Sequence, residues 1–323
     1  MSGALQPPVL SLVVAGRREI ASGIHAFELR GASAAAELPR FAPGSHIALR
    51  TPGGNVRKYS LTNDPDERDR YVIAVKREAA GRGGSADLID AIRVGDVIEC
   101  AAPRNDFVLA ERPTQFIFIA GGIGITPIMS MIRHLKASGR ARFKLYYLTR
   151  DVAATAFHDE LSAPDYRGQV IFHHDGGDPA RALDLWPILE RPTSAHVYCC
   201  GPRPLLEAVR DMTGHWSASA IHFESFADAA TMRDTADRAF RVRLARSGIV
   251  VDVAAGQSIL DAVRAAGIDA PSSCEAGTCG TCHTRLLAGQ ADHRDLVLSP
   301  DEQGDSIMLC VSRARSDELV IDR

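Results

Sequence analysis

Four cysteines in the C-terminal part of the chain have a spacing that can support redox chemistry. Cys274, Cys279 and Cys282 lie within nine consecutive positions in the order C-x4-C-x2-C, and 27 residues separate Cys282 from Cys310. This spacing is typical of plant-type 2Fe–2S clusters, in which two bridged irons need four thiolates. Gly277 permits a tight, amide-rich loop around such a group. The pattern therefore predicts a carrier of single electrons.

Two other uses of these cysteines fit the spacing less well. Zinc ribbons prefer two symmetric C-x2-C pairs, and only one such pair is present here. A redox-active C-x-x-C pair would leave Cys274 and Cys310 without a role. Small polar neighbours can donate hydrogen bonds to sulfurs and tune a cluster. They are Ser272, Ser273, Thr278 and Thr281.

A glycine-rich turn, AGGIGITP at 120–127, lies between an apolar strand and an amphipathic helix that Gly139 should end. It is not G-x-G-x-x-G, but its glycines permit a pyrophosphate to approach a helix N-terminus. The alternative is an ordinary strand-to-helix turn, and the Thr126-Pro127 helix start favours binding. The predicted nucleotide contacts are Gly121, Gly122 and Gly124.

A second strand-turn-helix end, CCGPRPLLEAV, starts at Cys199. Cys199 fits a buried strand position, whereas Cys200 is predicted to face the same crevice as the glycine turn, with Gly201 and Pro202 beside it. Both cysteines could also be plain core residues. Arg150, near the end of another strand, could meet a 2′-phosphate, so the residues leave NADH and NADPH open.

These sites need elements to position them, and the pattern changes along the chain. Residues 1–107 alternate with period two between turn signals, which predicts an antiparallel β-barrel. Residues 108–227 alternate strands and helices, including a helix over TAFHDELSA, which predicts a parallel α/β sheet. A polar linker, 228–239, precedes a compact α+β unit, 240–323.

Bulk composition excludes several classes of protein. The chain has 323 residues, 46% of them hydrophobic, and a formal net charge of −3, which argues against nucleic-acid binding. Its longest apolar stretches fall far short of a membrane span. Seven cysteines without a signal peptide indicate a reducing, cytoplasmic location. With no interface signature, we expect a monomer.

The motifs in this order resemble the phthalate dioxygenase reductase family, within the ferredoxin-reductase flavoprotein superfamily. The likeness covers nearly the whole chain and rests on DRYVIAVKRE, AGGIGITP, LYYLTRD, HVYCCGP, RDMTGHW, HFESF and the cysteine loop. It implies a flavin barrel, a pyridine-nucleotide domain and a β-grasp-like ferredoxin domain. It also implies FMN and NADH, although the residues alone do not exclude FAD.

The resemblance implies that Arg57 binds the flavin phosphate, Tyr59 packs on the isoalloxazine ring and Ser60 bonds its reactive edge. The other predicted flavin residues are Lys58, Ala74, Val75, Lys76, Gly83, Gly84, Ser85, Thr126, Glu224 and Phe226. It implies no acid–base residue, because the cofactors transfer the hydride and electrons.

The electron acceptor that the resemblance implies is the Rieske centre of an aromatic-ring dioxygenase, reached through a transient complex. The alternatives are an oxygenase for isophthalate, terephthalate or a vanillate-type methoxylated acid, since a reductase never touches the aromatic substrate. A metal-binding module without turnover is an alternative of another class, and it would give a colourless protein.

Overall fold

The computed structural model describes the chain in five stretches: residues 8–32, 37–78, 83–139, 141–226 and 237–323. These residues fall into two compact units, one from Met1–Gly201 with His215–His222, the other from Pro202–Gly214 with Phe223–Arg323. Most of the predicted linker lies outside the described residues. The linker and the domain boundaries at 107 and 227 stay predictions.

The period-two segments at the start of the chain form a barrel, as predicted. Its strands are β1 (Val9–Ala21), β2 (Ile24–Gly31), β3 (His46–Arg50), β4 (Val56–Ser60), β5 (Tyr71–Lys76) and β6 (Val97–Ala101). They pair antiparallel in the order β4-β3-β6-β1-β2-β5. A bridge from Leu61 to Ile73 joins the two ends of this order. Helix α1 (Gly84–Ala91) follows β5.

The strand–helix segments form a second, parallel sheet. Its strands are β7 (Gln115–Gly121), β8 (Arg142–Thr149), β9 (Val170–His174), β10 (His196–Cys200) and β11 (Ile221–Glu224). The order is β11-β10-β7-β8-β9. From β7 the chain proceeds to β8 and β9 on one side and then crosses to β10 on the other. The carboxyl ends of β7 and β10 therefore form a topological switch point, where such sheets bind ligands.

Four helices belong to this region of the chain. They are α2 (Ile125–Ser138), α3 (His158–Leu161), α4 (Trp186–Leu189) and α5 (Arg203–Met212). Gly139 ends α2 in the left-handed conformation, φ 61°, as predicted. The predicted helix over TAFHDELSA is wrong for most of its length. Phe157 has φ 59°, which a right-handed helix excludes, so only the four residues of α3 remain.

The C-terminal part forms a mixed sheet with one helix. Its strands, in the order β13-β12-β18-β14-β16, are β13 (Val250–Val253), β12 (Phe240–Leu244), β18 (Glu318–Ile321), β14 (His283–Ala288) and β16 (Ser306–Met308). Strands β15 (Ala291–Asp292) and β17 (Arg313–Ala314) form a separate pair. Helix α6 (Ile259–Ala265) begins at Ser258, whose hydroxyl accepts the Asp261 amide at 3.0 Å.

Candidate redox site

The four predicted cluster ligands lie as two pairs of thiols. Cys274 and Cys279 are half-buried at the loop surface, and the Cys274 amide donates to the Cys279 sulfur at 3.5 Å. Cys282 and Cys310 are 3% and 2% exposed and belong to the core of the C-terminal sheet. One pair therefore faces outward and the other faces the core.

Within each pair, a hydrogen bond between the two thiols shifts their pKa values in opposite directions. The hydrogen bond between their thiols raises the pKa of Cys274 and lowers the pKa of Cys279 to about 5. The corresponding bond lowers the pKa of Cys282 and raises the pKa of Cys310. A sulfur that accepts a hydrogen bond from a neighbouring thiol is favoured in its thiolate form. Both pairs are thus prepared to become thiolate ligands.

This arrangement fits two bridged irons. Two pairs of thiols match two irons with two thiolates each, whereas structural zinc needs four ligands around one point. The geometry therefore favours the predicted cluster over the zinc alternative.

Gly277 brings the cysteine loop close to a buried carboxylate. It has φ 72°, and a Cβ there would lie 2.8 Å from Val311 Cγ2 and 3.1 Å from the Asp295 Cα. The Asp295 carboxylate accepts the Leu298 amide at 2.8 Å and that of Val297 at 3.0 Å. No role was predicted for Asp295, and its contacts show that it orders residues 295–298, against which Gly277 packs.

The glycine turn lies at the switch point of the parallel sheet. A Cβ on Gly124 would lie 2.2 Å from the Cys200 carbonyl oxygen and 2.8 Å from the Gly201 amide nitrogen. The two predicted nucleotide-binding turns are therefore in direct contact. Gly122 has φ 54°, and none of the described side chains caps α2. The Ile125 amide at the start of α2 donates to the Gly122 and Ile123 carbonyls, so the predicted pyrophosphate contact at this turn stays a prediction.

The other residues predicted near this turn have different environments. The Thr126 hydroxyl donates to the Ile123 carbonyl at 3.0 Å and is buried, so it closes the turn. Cys200 is fully buried, and Pro202 precedes α5. Arg150 follows β8 and lies near Gly177. The ligand contacts of these residues stay predictions.

The barrel presents a cradle that fits a phosphate. A Cβ on Gly84 would lie 2.7 Å from Arg57 Nε, so the glycine lets the Arg57 side chain lie against the start of α1. Gly83, with φ 83°, precedes α1, and no described side chain caps that helix. A guanidinium beside free helix amides is a favourable anion site. The Ser85 hydroxyl accepts the Glu78 amide at 3.1 Å and ties β5 to the helix.

The remaining predicted flavin residues lie on β4, β5 and β11. Burial raises the pKa of the Tyr59 phenol to about 12, which keeps it neutral at physiological pH. Ser60 is 5% exposed, Phe226 is 47% exposed, and Glu224 ends β11 half-buried. Lys58 and Lys76 are exposed, while Ala74 and Val75 are buried. Their contacts with a flavin stay predictions.

Comparison with known proteins identifies both ends of the chain. The family of the oxidoreductase FAD-binding domain matches residues 11–108, and the 2Fe-2S iron-sulfur cluster binding domain matches residues 242–315. A phthalate 4,5-dioxygenase oxygenase reductase subunit of Pseudomonas putida is 55% identical over 96% of either chain. The chain belongs to the phthalate dioxygenase reductase family.

Two further relatives extend the likeness over the full length. A phthalate dioxygenase reductase of Burkholderia cepacia is 51% identical over 97% of both chains. A solved phthalate dioxygenase reductase, described as a modular structure for electron transfer from pyridine nucleotides to 2Fe-2S, covers 98% of both chains. Its TM-score is 0.71, with 50% identity.

Membership of the phthalate dioxygenase reductase family confirms the predicted fold class: a flavin barrel, a parallel-sheet nucleotide domain and a ferredoxin domain. The chain is an oxidoreductase with flavin, NADH and 2Fe–2S cofactors, and the Pseudomonas putida relative is named as a reductase subunit of an oxygenase. Across the described ranges, none of the helices combines the length and hydropathy needed to cross a bilayer.

Sequence reasoning missed one side chain near the cysteines. Arg264, in the last turn of α6, reaches the start of the cysteine loop and bonds Glu275 at 3.0 Å. In the sequence, a basic residue ten positions before Cys274 indicates only the ordinary preference for positive charge at a helix end. Only the fold brings it to the loop, so no local pattern could have indicated this contact.

Proposed function

We propose that this protein passes electrons from NADH through FMN and the 2Fe–2S cluster to the Rieske centre of an aromatic-ring dioxygenase, with phthalate dioxygenase as its partner. The observation that carries the proposal is the arrangement of four thiols in two pairs. A nicotinamide supplies a hydride, a flavin turns it into single electrons, and an iron–sulfur cluster carries each one onward.

The residues of the chain bind and orient these groups. Gly124 keeps the turn at β7 close to Cys200, where the pyrophosphate of NADH would meet the amides that begin α2. Arg57 and the start of α1 would hold the flavin phosphate on the barrel. These contacts would hold the nicotinamide and flavin rings close together, and such positioning accounts for much of the rate of a hydride transfer.

The direction of transfer supports a Rieske acceptor. Plant-type clusters have potentials of roughly −400 mV, while Rieske centres lie at about −150 to +300 mV, so the electron moves downhill. We further propose a transient complex, a monomeric reductase and a cytoplasmic location. Residues 240–323 carry nine Arg, no Lys and twelve Asp or Glu, a mildly acidic balance that suits reversible docking.

The partner is tested by turnover with purified oxygenases. NADH oxidation coupled to product formation is measured with oxygenases for phthalate, isophthalate, terephthalate and vanillate. We expect kcat/KM at least tenfold higher with the phthalate enzyme. A higher value with another of the four would move the assignment to that oxygenase, and no coupling with any would contradict the Rieske partnership.

A further inference from the structure

The cysteine loop contains a residue with an unusual backbone. Among the described residues other than glycine, only Phe157 and Glu275 have positive φ, and Glu275 has φ 54°. Glu275 directly follows the ligand Cys274. A residue with a side chain enters this left-handed conformation only when its surroundings hold it there. Something in the loop must therefore fix Glu275.

Arg264 supplies that restraint from the end of α6. Its Nη1 donates to the Glu275 carboxylate at 3.0 Å, and its Nη2 donates to the Ser272 hydroxyl at 2.6 Å. The same guanidinium donates to the Ala270 carbonyl at 2.8 Å. Ser272 in turn donates to Glu275 at 2.6 Å. Arg264, Ser272 and Glu275 form a clamp across residues 270–275.

The turn that the clamp holds aims backbone amides at a ligand sulfur. The Ala276 amide donates to Cys274 Sγ at 3.3 Å and the Thr278 amide donates to the same atom at 3.5 Å. Hydrogen bonds to a ligand sulfur stabilise the more negatively charged, reduced state. The positions of these two amides depend on the φ angle of Glu275.

We propose that Arg264 is a positioning residue that raises the reduction potential of the cluster, acting through Glu275 and the amides of Ala276 and Thr278. The proposal rests on the cluster assigned above and adds a residue that does not touch it. Loss of the clamp loosens both N–H···S bonds. Reduction of the cluster then becomes less favourable, and its reduction potential falls.

Two variants separate this effect from simple charge. Arg264→Ala removes a positive charge, so both positioning and Coulomb attraction lower the potential. Glu275→Gln removes a negative charge, so Coulomb repulsion alone would raise the potential, whereas loss of the clamp lowers it. The Glu275→Gln result therefore decides between the two explanations.

The measurement is a potentiometric titration of the intact protein followed by the EPR signal of the reduced cluster. We expect both variants to lower the equilibrium constant for cluster reduction by about threefold to tenfold, which is about 30–60 mV for a one-electron couple. Arg264→Lys keeps the charge but lacks the planar fork, so it should also lower the potential. Iron and sulfide contents are measured on each variant.

Two further variants complete the design. Arg246→Ala removes a matched arginine that pairs with Asp322 at 2.6 Å elsewhere in the same unit, and it should leave the potential unchanged. Arg264→Ala combined with Glu275→Gly removes both charges, and glycine adopts positive φ without a clamp. This double variant should recover potential relative to Arg264→Ala.

The outcomes are distinct. A higher potential in Glu275→Gln, or wild-type potentials in both Arg264→Lys and Glu275→Gln, would overturn the positioning role. If Arg264→Ala fails to assemble a cluster, Arg264→Lys and Glu275→Gln still decide the question. A wild-type protein without iron and sulfide would instead contradict the cluster assignment itself.

Discussion

At the scale of single residues, glycines show best what the sequence determines and what it hides. The turn at 120–127 could be predicted as a nucleotide site from its composition and its place before a helix. The reason why position 124 needs glycine could not be predicted, because the residue contacts Cys200, 76 positions away in the chain. The same holds for Gly84, whose partner Arg57 lies on a different element.

Gly124→Ala should weaken NADH binding. Its Cβ would meet the Cys200 carbonyl at 2.2 Å, so the two turns at the switch point must separate. We expect a loss of stability of about 1–3 kcal/mol and a Kd for NADH raised by about tenfold, measured by rapid-mixing titration of flavin reduction. Gly214→Ala, where the nearest atom is at 3.9 Å, is the matched control. Equal Kd values in the two variants would remove Gly124 from the nucleotide site.

Arg57→Ala should weaken flavin retention. The guanidinium lies against Gly84 at the start of α1, and its removal leaves the phosphate with helix amides alone. We expect flavin binding to lose about 2–5 kcal/mol if the pair is desolvated, measured as flavin content after gel filtration. Arg50→Ala removes a barrel arginine that pairs with Glu99 at 3.0 Å and serves as the control. Full flavin content in Arg57→Ala would contradict the assignment.

At the scale of elements, periodicity predicted the strands well and the short helices less well. Alternation identified β2 to β6, and the apolar stripe identified α2 with its glycine end. The prediction of a helix over TAFHDELSA was wrong for most of its length. Its residues have helical propensity, but Phe157 takes positive φ beside Arg133, whose guanidinium lies 5.3 Å from the Phe157 ring. Tertiary contacts overrode local preference there.

The barrel should lose stability in mild acid because of His46. Burial, followed by the nearby Lys58, lowers the pKa of this ring from 6.5 to about 4, although Asp106 partly opposes the shift. Between these values the unfolded chain binds more protons than the folded one. The free energy of unfolding therefore falls as the pH drops from 6.5 to about 4, by about 3 kcal/mol in total.

The check is the thermal midpoint of flavin release between pH 7 and 4. His46→Gln cannot titrate, so its midpoint should fall less steeply with decreasing pH than that of the wild type. Identical slopes for the two proteins would show that His46 does not contribute to the acid lability.

At the scale of the whole molecule, the order of modules could be predicted from the sequence, because each carries its own motif. The ion-pair network that stabilises the ferredoxin unit could not be predicted in this way. Asp237 lies within the stretch predicted as a linker, 228–239, yet its side chain is 3% exposed and pairs with Arg294 at 2.6 Å and Arg313 at 3.5 Å. Polar composition without periodicity predicted a linker there, and it could not indicate long-range pairing with two arginines.

Asp237→Ala should destabilise the ferredoxin unit selectively. Loss of a buried carboxylate shared by two arginines costs up to about 3–5 kcal/mol, and Arg294 keeps its contact with Asp292 at 2.8 Å. We expect the thermal loss of the cluster absorbance to occur at a lower temperature while flavin reduction by NADH keeps its rate. Asp317→Ala, at a carboxylate 89% exposed, is the control. Equal midpoints for the two variants would contradict a stabilising network.

The most direct test of the electron path is an anaerobic titration of the purified protein with NADH, followed by visible absorbance and EPR. The account predicts that flavin and iron–sulfur bands both bleach and that a reduced-cluster EPR signal appears. In Cys279→Ser the flavin should still bleach while the cluster signal is lost. A wild-type protein whose flavin bleaches beside an absent or unreduced cluster would contradict the account, because the four cysteines would then hold something else.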